Sequence, residues 1–387
     1  MYNRKFIFIA SCLGMLMFGI VMTTLGAILP SVIEKFGIDK ANAGSLMLLM
    51  SFGILLGSLV FGPIVDRYGY KALLIICAAL ISIGLEGIAL TPTFWLLRIA
   101  AFIIGFGGGV INGGTNALVA DISEKGKSAN LSILGVFFGV GAVGVPFLLG
   151  VLSGYLSYEL IIAGVGLVVI LPLLFFIVLQ FPIPKQVQGF PIKEGLQLLK
   201  EFTLIFFGFI LFFQSGIEFT IGGWAALFFK EELVLDTNRA VLFLSFYWLG
   251  MIIARLLLGY LLNKISPVII QFSSIGIAFI GALAMLLSNS LPVSVSGLFL
   301  IGFGFAAAFP VMLGYVGDLY AKLSGTAFSI IFVMALMGGM LFPYFAGVVG
   351  QMLSLRLSFI IVPISLCCIA TLFWTVLNRI SITNTVK

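Results

Sequence analysis

The 387-residue sequence is 61% hydrophobic and 9% charged, with a mean hydropathy of +1.27 and a net charge of +6. So few polar groups cannot cover a water-soluble globule of this length, and the composition therefore indicates a polytopic membrane protein. The chain has no histidine, no phosphate-binding glycine loop outside the apolar runs and no recognised metal-ligand spacing. We therefore expect that the protein is not an enzyme and binds no cofactor or metal. We also expect no nucleic-acid partner, because the chain lacks a soluble basic face.

Apolar runs of about 20 residues, the length that crosses ~30 Å of hydrocarbon, recur along the chain. They predict an all-α membrane protein with twelve transmembrane helices. A polar segment, 182–202, divides the runs and predicts a linker between domains 1–181 and 203–387. The predicted spans are 6–30, 43–64, 71–91, 95–121, 128–152, 159–181, 203–229, 237–262, 267–288, 293–318, 324–347 and 355–377.

The positions of lysine and arginine predict the orientation of these spans. If both termini are cytoplasmic, the cytoplasmic segments hold most of the cations, such as Lys71 and Lys125, and the outer loops hold few, such as Lys35 and Lys230. We therefore expect a monomer in the plasma or inner cell membrane with both termini inside. The opposite orientation is the alternative.

A charged turn, GPIVDRYGYK at 62–71, lies between the second and third spans, and a weaker copy, GYLLNK, occurs 197 residues later at 259–264. Matches that involve glycines, prolines and charges in one register argue for two related halves. Further pairs with the same offset are Gly105 and Gly302, Asp121 and Asp318, and Pro146 and Pro343.

Six plus six spans with a Gly-x-x-x-Asp-Arg-x-Gly-x-Lys turn between the second and third resemble the major facilitator superfamily. The resemblance covers essentially the whole chain and implies two pseudo-symmetric six-helix bundles that work by alternating access around a central cavity. It also implies that the turn holds the halves together on the cytoplasmic side, where Arg67 can pair with an acidic group. The candidate residues of this cytoplasmic gate are Gly62, Asp66, Arg67, Gly69, Lys71, Asp121, Asn263, Lys264 and Asp318.

Several intramembrane stretches are similar to one branch of the superfamily, which contains fucose/proton symporters, glucose/galactose transporters and sodium-dependent glucose transporters. This resemblance implies that a monosaccharide or related small polar solute moves with a cation, either H+ or Na+. Those symporters commonly carry an acidic residue in the fourth span where this chain has Asn112. The similar stretches are NGGTN at 112–116, GVGA at 139–142 with Pro146, QSGIE at 214–218, GGW at 222–224, Phe309-Pro310, and MGG at 337–339 with Pro343.

Glu218 is the strongest candidate for ion coupling on physical grounds alone. A charge at the bilayer centre costs roughly 2.5–3.5 kcal/mol on insertion scales, so it should face a cavity or a partner. Glu218 lies halfway along the seventh span, with Gln214 one turn earlier on the same face and Gly222-Gly223 beyond it, where a gate could bend. The carboxyl could exchange a proton, ligate sodium or accept sugar hydroxyls, or it could bond structurally to a neighbouring helix.

Three further residues are substrate-binding candidates with Gln214 and Glu218. Asn112 and Asn116 are spaced i and i+4 on one helix face, and amides, like sugar hydroxyls, donate and accept hydrogen bonds. Amides also join helices in membranes, which is the structural alternative. Trp224 could stack on a sugar ring or act as an interfacial anchor.

Other intramembrane polar residues have weaker interpretations. Glu86 and Arg98 lie at matching depth, so we expect them to neutralise each other, and we expect Arg255 to extend toward the cytoplasmic surface. The weaker cavity candidates are Tyr247 and Trp248 in the eighth span, Gln271 in the ninth, and Phe309 with Pro310 in the tenth. The rival functions are a proton-coupled drug or metabolite efflux antiporter, which a mostly apolar cavity would favour, and a non-transporting membrane sensor.

Overall fold

The computed structural model describes residues 2–123, 127–182, 198–262, 264–320 and 324–385. This part of the chain is helical and contains no strand. Twelve of its helical segments are long and apolar enough to cross a membrane, which agrees with the predicted number. The helices are α1 (Arg4–Phe36), α2 (Lys40–Tyr68), α3 (Tyr70–Leu90), α4 (Phe94–Ile122), α5 (Lys127–Leu152), α6 (Tyr158–Val178), α7 (Phe202–Glu232), α8 (Thr237–Leu261), α9 (Pro267–Leu287), α10 (Leu291–Phe305), α11 (Ala308–Leu319), α12 (Ser324–Met352), α13 (Leu355–Ser358) and α14 (Ile361–Thr385).

The tenth and twelfth predicted spans are each interrupted rather than continuous. The first interruption separates α10 from α11, three residues before Pro310. The second separates α13 from α14, three residues before Pro363. Proline has no N–H and its ring crowds the carbonyl four residues earlier, which favours a break at these positions. Pro30, Pro146, Pro172 and Pro343 nevertheless lie inside continuous helices.

Aspartate side chains begin the corresponding second helix of each half. The Asp39 carboxylate accepts a hydrogen bond from the Asn42 amide at 2.7 Å at the start of α2. The Asp236 carboxylate accepts one from the Arg239 amide at 3.0 Å at the start of α8. Each bond satisfies a backbone donor that has no partner within its own helix.

Helix packing repeats between the halves with the offset of 197 residues. A Cβ atom on Gly53 would overlap the Phe102 carbonyl oxygen, and one on Gly250 would overlap the Phe299 carbonyl oxygen. Only glycine lets these backbones approach so closely. In the same way, Gly105 contacts Met50 in the first half, and the equivalent Gly302 contacts Tyr247 in the second. These repeated contacts support two related halves; the domain boundaries stay a prediction, and most of the predicted linker lies outside the described residues.

The two halves meet where α1 packs on α7, α2 on α12 and α5 on α8. We call the end of the bundle that carries Phe36 and Lys40 the Lys40 end, and the opposite end, which carries Tyr70, the Tyr70 end. Which end faces the cytoplasm stays a prediction.

Ion pairs join the halves at the Lys40 end. The Lys40 ammonium lies 2.7 Å from the Glu231 carboxylate, and the Lys230 ammonium lies 3.0 Å from the Glu34 carboxylate. Lys40 also donates a hydrogen bond to the Gly350 carbonyl at 3.4 Å. Together these contacts hold the Lys40 end closed in this conformation.

Candidate functional site

A narrow pocket lies midway through the protein, between α1 and α2 of one half and α7 and α8 of the other. Its empty volume is about 310 Å³ including the open space at its mouth, and in this conformation the pocket has room for about one water molecule. Most of the lining is methionine, phenylalanine or glycine, and the polar groups are one hydroxyl, one carboxyl and one indole N–H. The lining residues are Met22, Gly26, Met47, Met50, Ser51, Glu218, Phe219, Gly222, Gly223 and Trp248.

The Glu218 side chain is 7% exposed and faces this pocket. Within the described part of the chain, its carboxyl group makes no hydrogen bond and no ion pair within 4 Å, although the Arg255 guanidinium acts on it electrostatically. A buried carboxylate without a fixed partner is costly unless a proton, a cation or a ligand compensates its charge. Among the described residues, Glu218 thus makes none of the hydrogen bonds expected of a carboxyl group that joins two helices.

Two aromatic residues of α8 carry unsatisfied donors near Glu218. The Trp248 indole N–H and the Tyr247 hydroxyl are buried without a hydrogen-bond partner among the described residues. Their rings are in contact, with centroids 4.8 Å apart, and Tyr247 interacts electrostatically with Glu218. Because buried polar atoms are nearly always bonded, an orphaned N–H at a pocket wall indicates a place for a ligand atom.

Arg255 lies at the interface between the halves. Its guanidinium carbon sits 5.5 Å from the centre of the Phe138 ring in α5, and the side chain is half-buried. The Phe138 ring also contacts the Trp248 ring edge-on at 5.9 Å. The expectation that Arg255 extends to the membrane surface is therefore wrong, because an aromatic face of the other half attracts the cation.

Gln214 is buried next to the interruption between α10 and α11. Its side-chain amide donates a hydrogen bond to the Phe305 carbonyl, the last residue of α10, at 3.4 Å. Gln214 does not line the pocket, although it is one turn from Glu218. The structure thus places this predicted binding residue against an irregular backbone segment of α10 and α11.

Asn112 and Asn116 bond to each other. The Asn116 side-chain amide donates to the Asn112 carbonyl at 2.8 Å and to its side-chain oxygen at 3.0 Å, and it also contacts the Met15 sulfur at 3.7 Å. At a rise of 1.5 Å per residue, Asn112 lies about 15 Å from the Tyr70 end of α4, whereas Glu218 lies about 24 Å from that end of α7. The two asparagines and Glu218 are therefore at different depths.

Trp224 lies outside the pocket. Its side chain is fully buried, and its indole N–H donates a hydrogen bond to the Pro343 carbonyl in α12 at 2.9 Å. The indole that lines the pocket is that of Trp248. The structure thus places Trp224 in the packing between α7 and α12.

Part of the predicted gate is visible at the Tyr70 end. The Tyr70 hydroxyl donates a hydrogen bond to the Asp121 carboxylate at 2.8 Å, joining α3 to α4. Gly69 separates α2 from α3 with φ 80°, a conformation that favours glycine. Lys71 and Asp318 are exposed, and Lys264 contacts the Tyr260 hydroxyl and ring. Asn263 lies outside the described part of the chain, as do the surroundings of Gly62 and the side chains of Asp66 and Arg67.

Glu86 and Arg98 do not neutralise each other. The Arg98 guanidinium donates to the Asn42 side-chain oxygen and to the Ser45 hydroxyl, each at 3.0 Å. One Glu86 carboxyl oxygen is buried without a hydrogen-bond partner beside Gly166 of α6. The two residues match in depth but face different neighbours around their helices, so the expected ion pair is wrong.

The family model described as Major Facilitator Superfamily matches residues 11–334. The chain belongs to the Major Facilitator Superfamily. It is similar to the glucose/mannose transporter GlcP of Bacillus subtilis (strain 168), with 25% identity over 85% of this chain and 84% of the relative. It is also similar to the benzoate transport protein of Acinetobacter baylyi (strain ATCC 33305 / BD413 / ADP1), with 23% identity over 81% and 76%.

A solved structure supports the same fold. The crystal structure of the nucleoside transporter NupG superposes with a TM-score of 0.77 and 17% identity, covering 97% of this chain and 99% of that one. The all-α superfamily fold with twelve membrane-spanning helices is thus confirmed. As a superfamily member with transporter relatives, the protein is a multi-pass membrane carrier of small solutes and not an enzyme. The resemblance to a branch that includes sugar transporters is confirmed at low identity.

Proposed function

We propose that this superfamily member moves a monosaccharide or a related small polar solute by alternating access, together with a proton or a sodium ion. The observation that carries the proposal is the Glu218 carboxyl, which is buried at the pocket between the halves without a hydrogen bond or ion pair among the described residues. A transporter of this kind requires its binding site at the interface of two bundles near the midplane, which is where Glu218 lies.

Glu218 can couple the ion to the solute because its charge must be compensated before the pocket closes around it. A bound proton or sodium ion removes the unpaired negative charge, so the loaded carrier can change conformation at lower cost than the unloaded one. Tyr247 and Arg255 are the groups of α8 that act electrostatically on the same carboxyl. The pocket lining contributed by α1 and α2 contains no titratable group.

The sugar assignment rests on the chemistry of the pocket and on the relative GlcP. The Trp248 indole offers a free N–H and an aromatic face, and Glu218 offers acceptor oxygens for hydroxyl groups. Asn112 and Asn116, nearer the Tyr70 end, would contact the solute along its route rather than beside Glu218, and Gln214 would act through the interrupted α10–α11 segment.

A second candidate function is proton-coupled efflux of a drug or metabolite. The observation that favours it is the lining of the pocket, which is rich in Met22, Met47, Met50 and Phe219 and contains no amide side chain. Methionine-rich surfaces adapt to varied apolar ligands. In this case Glu218 would exchange protons against a lipophilic cation.

The proposal is tested by uptake of radiolabelled hexoses into proteoliposomes, with proton and sodium gradients imposed separately. We expect uptake to follow one gradient in the wild type and to lose that dependence in Glu218→Gln. Glu86→Gln is the matched control, because Glu86 is an intramembrane glutamate outside the pocket. If no hexose moves while the folded protein carries lipophilic cations against protons, the efflux function replaces the sugar function. Ligand binding without flux of any solute would indicate a sensor.

We further propose a monomer in the cell membrane with both termini in the cytoplasm. Val234, which is 86% exposed between α7 and α8, then lies outside the cell. An impermeant maleimide should label Val234→Cys in intact cells above the background of the four native cysteines. Labelling that requires permeabilised cells would reverse the orientation.

A further inference from the structure

Arg255 is a second charged group in the membrane-spanning region between the halves, and the proposed function gives it no role beyond its electrostatic effect on Glu218. Its guanidinium carries five N–H donors, yet no hydrogen bond or ion pair holds it in the described part of the chain. Its contact is the Phe138 ring at 5.5 Å, and part of its surface stays accessible. A charge inside a transmembrane segment is expected to serve a transport path or to have a partner.

The position of Arg255 relates it to the pocket. Arg255 follows Trp248 by seven residues in α8, so both side chains lie on nearly the same face of the helix, about 10 Å apart along its axis. Phe138 of α5 touches both of them. The long arginine side chain therefore lies on the Tyr70 side of the pocket, next to the aromatic wall formed by Trp248 and Phe138.

Glu218 and Arg255 interact electrostatically but are not joined by an ion pair within 4 Å. Tyr247 of α8 is the third titratable group that acts on them, whereas the pocket lining from α1 and α2 and the Phe138 ring of α5 are uncharged. With Glu218 ionised and unloaded, the site carries two opposite charges that are not joined in an ion pair. Once a proton or sodium ion neutralises Glu218, the site is left with the net positive charge of Arg255.

We propose that the transported solute is a monosaccharide derivative with one carboxylate, a sugar acid, and that Arg255 binds this carboxylate while Glu218 holds the coupling cation. The inference rests on the proposed function and specifies its substrate class. The planar guanidinium matches a carboxylate with two parallel hydrogen bonds, a geometry that a neutral hexose cannot use. The anion and the cation enter together as a neutral load.

Coupling follows from this arrangement. Loading Glu218 frees Arg255 from the opposing charge, so cation binding strengthens anion binding, and by thermodynamic linkage the anion strengthens cation binding to the same extent. Without the cation, the carboxylate of the solute would meet a second carboxylate in a poorly hydrated site and be repelled. The solute therefore does not cross without its ion.

The test compares solutes that differ in one charged group, namely glucuronate with glucose and galacturonate with galactose, in the proteoliposome assay. We expect the wild type to take up at least one sugar acid about tenfold or more faster than its neutral partner, and Arg255→Gln to abolish that preference. Arg255→Lys should restore part of it, because the charge remains but the fork of donors is lost. Arg239→Gln, at an exposed arginine in the first turn of α8, is the matched control.

Glu218→Gln supplies an independent readout, because its side chain is neutral at every pH. The purified variant should bind glucuronate or galacturonate with an affinity that no longer depends on pH or sodium, while wild-type affinity still depends on one of them. This holds even if Arg255→Gln does not fold.

Each other outcome overturns the inference. Uptake of neutral hexoses with no preference for the acids, or an unchanged preference in folded Arg255→Gln, leaves the proposed function intact and removes the anionic substrate. An acid affinity of Glu218→Gln that still depends on the cation also refutes the inference. If neither the acids nor the hexoses bind or move, the proposed function fails as well.

Discussion

Gly26 in α1 and Gly222 in α7 are in direct backbone contact, so a methyl group on Gly26 would overlap the Gly222 carbonyl oxygen. Both residues line the central pocket, one from each half of the protein. The helices approach this closely only because Gly26 has no side chain. Opening the Lys40 end requires these two backbones to separate.

Gly26→Ala should therefore disfavour the conformation in which the Lys40 end is closed. Inserting a methyl group into such a packed contact costs about 1–3 kcal/mol. We expect faster labelling of a cysteine introduced at Ser51, which lines the pocket from α2, by a reagent applied from the Lys40 end. Gly144→Ala in α5 is the control, because a Cβ atom there meets nothing within 4 Å. Equal labelling in both backgrounds would show that this contact does not control closure.

Trp224 and Trp248 should respond differently to replacement by phenylalanine. Trp224→Phe removes the hydrogen bond from the indole to the Pro343 carbonyl, at a cost of about 1 kcal/mol in stability. Trp248→Phe breaks no such bond, so we expect a smaller loss of stability and a higher KM for the solute. Thermal unfolding in detergent and transport kinetics measure the two effects. A raised KM in Trp224→Phe with stability intact would instead place Trp224 in the binding site.

Glu86 and Arg98 should be energetically independent. Arg98→Gln loses charge-assisted hydrogen bonds to Asn42 and Ser45 and should destabilise the protein by about 1 kcal/mol or more. Glu86→Gln breaks no ion pair and should be close to neutral. A double-mutant cycle measured by thermal unfolding should give a coupling energy below about 0.5 kcal/mol. A larger coupling energy would mean that the two charges interact after all.

Gly69→Ala should strain the turn between α2 and α3. Gly69 adopts φ 80° and ψ 175°, a region that residues with a Cβ atom occupy at a cost of about 1–3 kcal/mol. We expect a lower unfolding temperature. Gly164→Ala is the comparison, since this exposed residue of α6 has nothing within 4 Å of an added Cβ atom and alanine favours helix. The turn would prove adaptable if both variants unfolded at the same temperature.

The number of membrane-spanning helices could be predicted from the sequence, because the length of each apolar run matches the thickness of the hydrocarbon that a helix must cross. Glycines such as Gly105 and Gly302 also revealed the repeat, since close backbone contacts tolerate no other residue. The interruptions before Pro310 and Pro363 could not be predicted from proline alone, because other prolines, such as Pro30 and Pro172, lie inside continuous helices.

The orientation of side chains around each helix could not be predicted. α7 is apolar on all sides, so no periodicity distinguishes the face of Trp224 from the face that lines the pocket. For the same reason Glu86 and Arg98 match in depth without meeting. The contact of Arg255 with Phe138 joins residues more than 100 positions apart, and no local pattern encodes it.

The repeated glycine contacts also bear on how the nascent chain reaches its native state. Gly53 meets Phe102, and Gly105 meets Met50, so these contacts join residues about 50 positions apart. Gly141 contacts Leu16, so the residues of all three contacts precede Phe202, where α7 begins. The first bundle can therefore lock its backbones together while the ribosome is still translating the second, which then assembles against a finished template.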